Sequence, residues 1–297
     1  MSARAPRVPG GGPALVRALG KRGEEHKYDH GHALILSGGP GRGGAARLAA
    51  RGALRIGAGL VTVGCPPEAL AENAAQLNAV MLRAIAGGVE LAQVLEDARI
   101  NALCLGPGLG VERAREMVPV ALERGRAVVI DADAITAFAD APERLFSMLG
   151  EGCVLTPHAG EFARLFPDLA QGLDAPADEA GEGDGHDLRA EAARKAAERA
   201  GCVVLLKGAR TYIAAPDGRC SLNAAVGERA APWLATAGSG DVLAGFVTGL
   251  LARGFAPMQA AEAAAWLHVE CARSFGPGLI AEDLPEQLPA VLRALGV

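Results

Sequence analysis

Six short apolar runs, each closed by small or polar residues and followed by a stretch of helical period, constrain this chain more than any other feature. They are ALILSG from Ala33, GLVTVGC from Gly59, NALCLGPG from Asn101, AVVIDAD from Ala127, CVLTPH from Cys153 and CVVLLKG from Cys202. Short runs without polar alternation read as strands buried on both faces. Strands that alternate with helices need crossover connections, which predicts an α/β three-layer sandwich: helices on both faces of a central, mostly parallel sheet. Half of the 297 residues are hydrophobic and only 4% aromatic, which suits many alanine-rich helices packed on such a sheet.

In sheets of this kind ligands collect at the carboxyl ends of the strands. That rule selects 39–44, 106–110, Asp131 and Asp133, 156–161, 207–211 and 238–241 as candidate site segments. The sharpest is Ala237-Gly238-Ser239-Gly240-Asp241, which runs straight into the apolar helical stretch VLAGFVTGLLARG. Small residues free the amides of Gly238, Ser239 and Gly240 to converge on a phosphoryl group, and the helix start adds partial positive charge. Asp241 then stands where it can take the proton of an attacking hydroxyl; the plainer reading is that it caps the helix. Lys207-Gly208-Ala209-Arg210-Thr211 offers two cations, a small-residue turn and a hydroxyl, which suits the phosphates and ribose of a nucleotide. The alternative there is a solvated hairpin, because Pro216-Asp217-Gly218 signals a turn.

Three further strand ends are weaker. Gly39-Pro40-Gly41-Arg42-Gly43-Gly44 satisfies G-x-G-x-x-G, but a dinucleotide fold also needs an acid at the end of the next strand, and GLVTVGC ends in Gly64 and Cys65. These glycines therefore read as a substrate wall or a simple turn. Asp131 and Asp133, taken as continuing a strand, are expected to face the same way and either order magnesium-bound waters or, the favoured reading, cap the following helix. His158, three residues before Glu161, either touches substrate or is structural.

A net charge of −5 argues against nucleic-acid and membrane-surface partners. No run approaches the ~20 apolar residues of a membrane span. The six cysteines are scattered without a Cys-x-x-Cys pair and read as buried thiols in a reducing compartment, so a cytoplasmic address is expected. No Cys or His set has metal-ligand spacing, no G-x-x-x-x-G-K-[ST] loop occurs, and Ser37 lies outside any G-x-S-x-G elbow. Proline, glycine and charge alternate at the start, so 1–25 is expected to be a flexible segment and 26–297 a single domain. The acidic stretch from Asp168 to Asp187 reads as an exposed loop.

Taken in order, the blocks HKYDHGH from His26, GAARLAARGALRIGAGLVT from Gly44, GPGLG from Gly106, DAD from Asp131, TPHAGEFARL from Thr156, LLKG with Thr211, and ATAGSGDVLAG from Ala235 resemble the ADP- or ATP-dependent NAD(P)H-hydrate dehydratase family, the carbohydrate-kinase-like branch of the ribokinase-like superfamily. The resemblance runs from about His26 to Leu288. It implies a ribokinase-like fold and a lyase that repairs hydrated NADH and NADPH (NADHX and NADPHX), acting on the (S) epimer with ADP preferred. By carry-over Asp241 is the base, Gly238, Ser239 and Gly240 the anion hole, and Lys207, Gly208, Ala209, Arg210, Thr211 and Gly240 the nucleotide cradle. Ala45, Gly108, Gly110 and His158, with Asp241, line the substrate pocket. Mg²⁺, a homotetramer and a separate epimerase partner are further implications. The nearest rival is a small-molecule kinase of the same superfamily, of the hydroxymethylpyrimidine or thiazole-alcohol type; a catalytically silent nucleotide-binding module is another.

Overall fold

The computed structural model describes residues 18–171, 173 and 187–297. Nine strands form one sheet: β1 (His32–Leu36), β2 (Leu60–Cys65), β3 (Met81–Ala84), β4 (Ile100–Leu105), β5 (Ala127–Ile130), β6 (Cys153–Leu155), β7 (Val203–Leu206), β8 (Arg210–Ala214) and β9 (Cys220–Ala224), in the spatial order β3-β2-β1-β4-β5-β6-β7-β8-β9. Neighbours from β3 to β7 pair in parallel, and β8 and β9 close that edge as an antiparallel hairpin. All six apolar runs are strands of the parallel part, and the sheet is covered on both faces, as the alternation requires.

The helices used below are α1 (Gly44–Arg55), α2 (Leu70–Ala74), α3 (Gly88–Val94), α4 (Val111–Leu122), α5 (Ala132–Thr136), α6 (Pro142–Phe146), α7 (Ala159–Leu165), α8 (Leu188–Ala200), α9 (Ser239–Ala252), α10 (Pro257–Phe275) and α11 (Asp283–Ala294). Successive strand residues feed opposite layers. Ala33 and Ile35 of β1 join a core with α1, α9, α10 and α11, while Leu34 and Leu36 join a second core with α3, α4, α5 and α8.

Two glycines bring α9 hard against α1. A methyl group on Gly245 would stand 2.1 Å from the Ala49 carbonyl oxygen, and one on Gly249 would stand 2.7 Å from that of Ala53. The helices therefore meet through backbone, which fixes the start of α9 relative to the sheet. All six cysteines are buried and unpaired, and no helix among the described residues is long and apolar enough to cross a membrane. Of the segment 1–25, residues 1–17 lie outside the described part. Beyond them Leu19 is buried, and Arg253 donates from Nη2 to the carbonyls of Ala18, Leu19 and Gly20. Most of the acidic stretch, 172 and 174–186, also lies outside the described residues.

Candidate active site

Strand order reverses between β1 and β4, the position where an open α/β sheet leaves a crevice. Glycine lets the two strand ends close on each other there. A methyl group on Gly38 would stand 2.1 Å from the Gly108 carbonyl oxygen. One on Gly108 (φ +63°) would stand 2.7 Å from the Arg42 carbonyl oxygen and 3.3 Å from Ala45 Cβ. Gly108, Ala45 and Gly110, all half-buried, lie along one wall of this crevice. The Gly39–Gly44 turn belongs to the same wall, and the Gly41 N–H points to Glu72 Oε2 at 2.7 Å, which ties the loop to α2.

Opposite this wall α9 begins at Ser239. Gly238 takes the left-handed conformation (φ +87°), and a methyl group on it would stand 2.6 Å from Leu48 Cδ1, 2.9 Å from Ala281 Cβ and 3.9 Å from Asp241 Oδ2. Asp241 lies in the first turn, where backbone N–H groups have no intrahelical partner. The Ser239 hydroxyl donates to the Leu234 carbonyl (2.8 Å), and its N–H makes a long bond to the Thr236 carbonyl (3.4 Å).

Asp131 and Asp133 correct the sequence expectation that they face alike and cap the next helix. The strand ends at Ile130, and Ala132 (φ +46°) turns the chain into α5, so the two carboxylates diverge. Asp131, 1% exposed, makes no capping bond and instead accepts from Lys207 Nζ at 2.7 Å. Asp133 Oδ2 accepts from the Gly110 N–H at 2.8 Å, which holds that glycine wall in place. Glu161, also buried, stands 3.9 Å from Lys207.

The result is a pocket with more negative than positive charge. Burial first, then the Asp131, Asp133 and Glu161 carboxylates, push the Asp241 carboxyl up to about 6 against the pull of Lys207. Burial works against the charge on Lys207, but Asp131, Glu161 and Asp241 together hold its pKa above the ordinary lysine value. A carboxylate with raised proton affinity, poised near neutrality, is what a general base needs. No group of three or more His, Cys, Asp or Glu side chains able to hold a metal ion occurs among the described residues.

Beside Lys207 a cavity of about 440 Å³ runs between β8, β9, α9 and α10. Lys207, Gly208, Ala209, Thr211, Ser239 and Gly240 line it, as do Ala231, Leu234, Leu243, Ala265 and His268. The lining mixes aliphatic side chains with the Lys207 ammonium, the Thr211 and Ser239 hydroxyls and glycine backbone, a composition able to take a ligand with an apolar ring and an anionic group. Lys207 to Thr211 forms a hairpin turn, closed by Thr211 Oγ1 donating to the Gly208 carbonyl at 2.9 Å, and that turn borders the cavity. Arg210 is exposed and lies outside the lining. Burial drives His268 down to about 4, so its ring is neutral, and Nε2–H donates to the Ser239 carbonyl at 2.9 Å, bracing the start of α9.

His158 has a role the sequence weighed only in outline. Its Nδ1 accepts from the N–H groups of Gly160 (3.0 Å) and Glu161 (3.2 Å), and Glu161 Oε2 accepts from the His158 N–H (2.8 Å). This reciprocal cap starts α7 and fixes Glu161 toward Lys207. The imidazole itself remains exposed. Missed from sequence were Ala231, Leu234, Leu243, Ala265 and His268 of the cavity, which come from the segment 231–234, α9 and α10.

Comparison with known proteins gives concordant results. Residues 33–289 match the family described as NAD(P)H-hydrate dehydratase. The bifunctional NAD(P)H-hydrate repair enzyme Nnr of Moorella thermoacetica is 39% identical over 285 residues, covering 91% of this chain and 51% of that protein. The protein of the same name from Salinibacter ruber is 35% identical, covering 90% of this chain and 49% of its own length. This chain spans about half the length of these curated relatives. Among solved structures, the ADP/ATP-dependent NAD(P)H-hydrate dehydratase from Bacillus subtilis, co-crystallised with ATP and Mg²⁺, superposes with a TM-score of 0.76 at 30% identity, covering 97% of this chain and 99% of that one. A ribokinase-like superfamily protein from Enterococcus faecalis (TM-score 0.77, 22% identity, 99% and 98% covered) shares the fold.

Proposed function

The chain belongs to the NAD(P)H-hydrate dehydratase family, and from that premise we propose that it uses ADP to dehydrate the (S) epimers of NADHX and NADPHX. The observation that carries the reading is the place of Asp241. It stands at the head of α9 beside the cavity that Lys207 and Gly240 line, and it lies within the charge field of Asp133, whose carboxylate accepts from the Gly110 N–H of the wall.

In this reading Asp241 accepts the proton of the ring hydroxyl as that oxygen attacks the terminal phosphorus of ADP. The bond to the bridging oxygen breaks and AMP leaves. Hydroxide is a poor leaving group and phosphate a good one, so the phosphate ester departs with its bonding electrons while the ring nitrogen supplies a pair. Loss of a proton from the adjacent ring carbon restores the double bond of NADH. Lys207 and the amides at the start of α9 offset charge on the transferring group, with Asp131 and Glu161 holding Lys207 in line. The excess of carboxylates over lysine fits a magnesium ion that arrives with the phosphates, keeps waters and needs one or two carboxylates, for which Asp131 and Glu161 are the residues at hand. Bound there, it would supply further charge neutralisation.

The proposal extends to the protein's surroundings. A stereospecific dehydratase needs the other epimer converted, so an epimerase activity is its working partner, borne outside the residues described. A homotetramer belongs to the reading, to be checked by light scattering, and six buried thiols suit a reducing address such as the cytoplasm.

Incubation with hydrated NADH, Mg²⁺ and ADP tests the function. The expected result is recovery of reduced-nicotinamide absorbance with one phosphate and one AMP released per turnover; accumulation of a stable phosphorylated alcohol would replace this reading with that of a kinase.

A further inference from the structure

The reaction proposed above takes two adenosine-bearing molecules, a nucleotide and a dinucleotide, and the cavity beside Lys207 is assigned there to the nucleotide. A second cavity, a notch of about 320 Å³, lies on the other side of the segment 231–236. Trp233, Thr236, Leu279 and Ile280 line it, and Pro232 and Ala235 belong to both cavities, so one short piece of chain separates the two. We infer that this notch receives the adenine end of the dinucleotide substrate, with Trp233 as the stacking surface. The inference rests on the dehydratase reading, whose substrate it describes further.

Three observations carry it. The first is position: Ala281, next to Ile280 in the chain, packs 2.9 Å from a methyl group placed on Gly238, and the same methyl would stand 2.6 Å from Leu48 of α1 and 3.9 Å from Asp241. The notch thus adjoins the Gly238 turn that leads into Asp241, on the side where Leu48 of α1 packs. The second is exposure. Trp233 is 47% exposed and Ile280 52%, two large apolar side chains flanking one concavity. The third is chemistry, because no Lys, Arg, Asp or Glu lines the notch. A diphosphate finds no partner there, whereas a flat base finds an indole face, aliphatic walls and one threonine hydroxyl. Charge and shape therefore select the purine end of the substrate.

The test uses the two tryptophans, Trp233 and Trp266. With the nucleotide cavity saturated by ADP, titration with NAD⁺ quenches the tryptophan emission of the intact protein and of a Trp266→Phe variant, but not that of Trp233→Ala. In turnover, Trp233→Ala raises KM for NADHX roughly tenfold, the order expected for loss of one base–aromatic stack. KM for ADP and kcat stay within about twofold, Trp233→Phe restores most of the loss, and hydrated reduced nicotinamide mononucleotide, which lacks the adenosine half, is used equally by all variants. An unchanged KM for NADHX in an active Trp233→Ala enzyme overturns the inference. So does quenching of Trp233 by ADP alone, or a fall in oligomeric mass of Trp233→Ala, which would assign the notch to a second copy of the chain. A wild-type protein that fails to convert NADHX overturns the functional reading instead, and the NAD⁺ titration still decides where the adenine binds.

Discussion

Replacing Asp241 with asparagine should make the protein more stable while removing its activity. The carboxyl is raised from 3.8 to about 6 by burial and by the Asp131, Asp133 and Glu161 charges. A gap of roughly two pH units, at about 1.4 kcal/mol for each tenfold change in proton affinity, destabilises the ionised folded state by at most about 3 kcal/mol. The sign follows from linkage: a carboxyl whose folded pKa is raised favours folding below its unfolded value, and that contribution is lost as pH rises through about 6. Asp241→Asn removes the penalty, so at about pH 8 its Tm should exceed the wild type's by roughly 5 °C. The advantage should fade as pH falls through 6 toward 3.8. Thermal unfolding of both proteins across that range is the assay, run beside NADHX turnover, which should fall by about a thousandfold or more with nucleotide affinity retained. A Tm difference that ignores pH, or a destabilised variant at about pH 8, would refute the charge argument; retained turnover would remove Asp241 from the mechanism.

The acid limb of kcat/KM should rise through about pH 6 in the wild type, and Lys207→Met should move it to higher pH because the one cation favouring ionised Asp241 is gone. The same substitution strands buried Asp131, at a cost of about 3–5 kcal/mol, and should weaken ADP binding at least tenfold by calorimetry; unchanged binding would place the phosphates elsewhere. Gly238→Ala combines a left-handed backbone with contacts of 2.6 and 2.9 Å, so turnover should drop by more than about tenfold, with stability lower by about 1–3 kcal/mol in denaturant melts. His158→Ala should cost about 1 kcal/mol through the lost cap while His158→Asn recovers it. If the exposed ring also touches substrate, KM for NADHX rises in both variants, and a KM that follows stability leaves His158 with the cap alone.

The parallel sheet was legible because each of its buried strands writes an uninterrupted apolar run. Strand β3, with Met81, Arg83 and Ala84 exposed at the sheet edge, writes no such run and escaped notice. The site was legible where chemistry sits in contiguous residues, as in Gly238–Asp241 and Lys207–Thr211. It was hidden where partners are distant. Nothing local announces that Asp131 pairs with Lys207, 76 positions away, or that Ala231, Leu243 and Ala265 wall one cavity. The divergence of the two aspartates is not legible because the strand stops at Ile130, and the positive φ of Ala132 leaves no mark in the sequence. His158 with Glu161 did carry a readable signal, since a capping side chain followed three residues later by Glu marks a helix start.

The backbone-to-backbone seam between Gly245 and Ala49 and between Gly249 and Ala53 has a bearing on how this scaffold can change. At these points the α1 backbone itself lies where a new methyl group on α9 would go, with the side chains of Ile56 and Phe246 filling the seam beside it, so the start of α9, which carries Asp241, is held to α1 with little room to shift. Substitutions at exposed side chains such as Arg42, Trp233 and Ile280 leave that seam untouched, whereas a methyl group added at Gly245 or Gly249 does not.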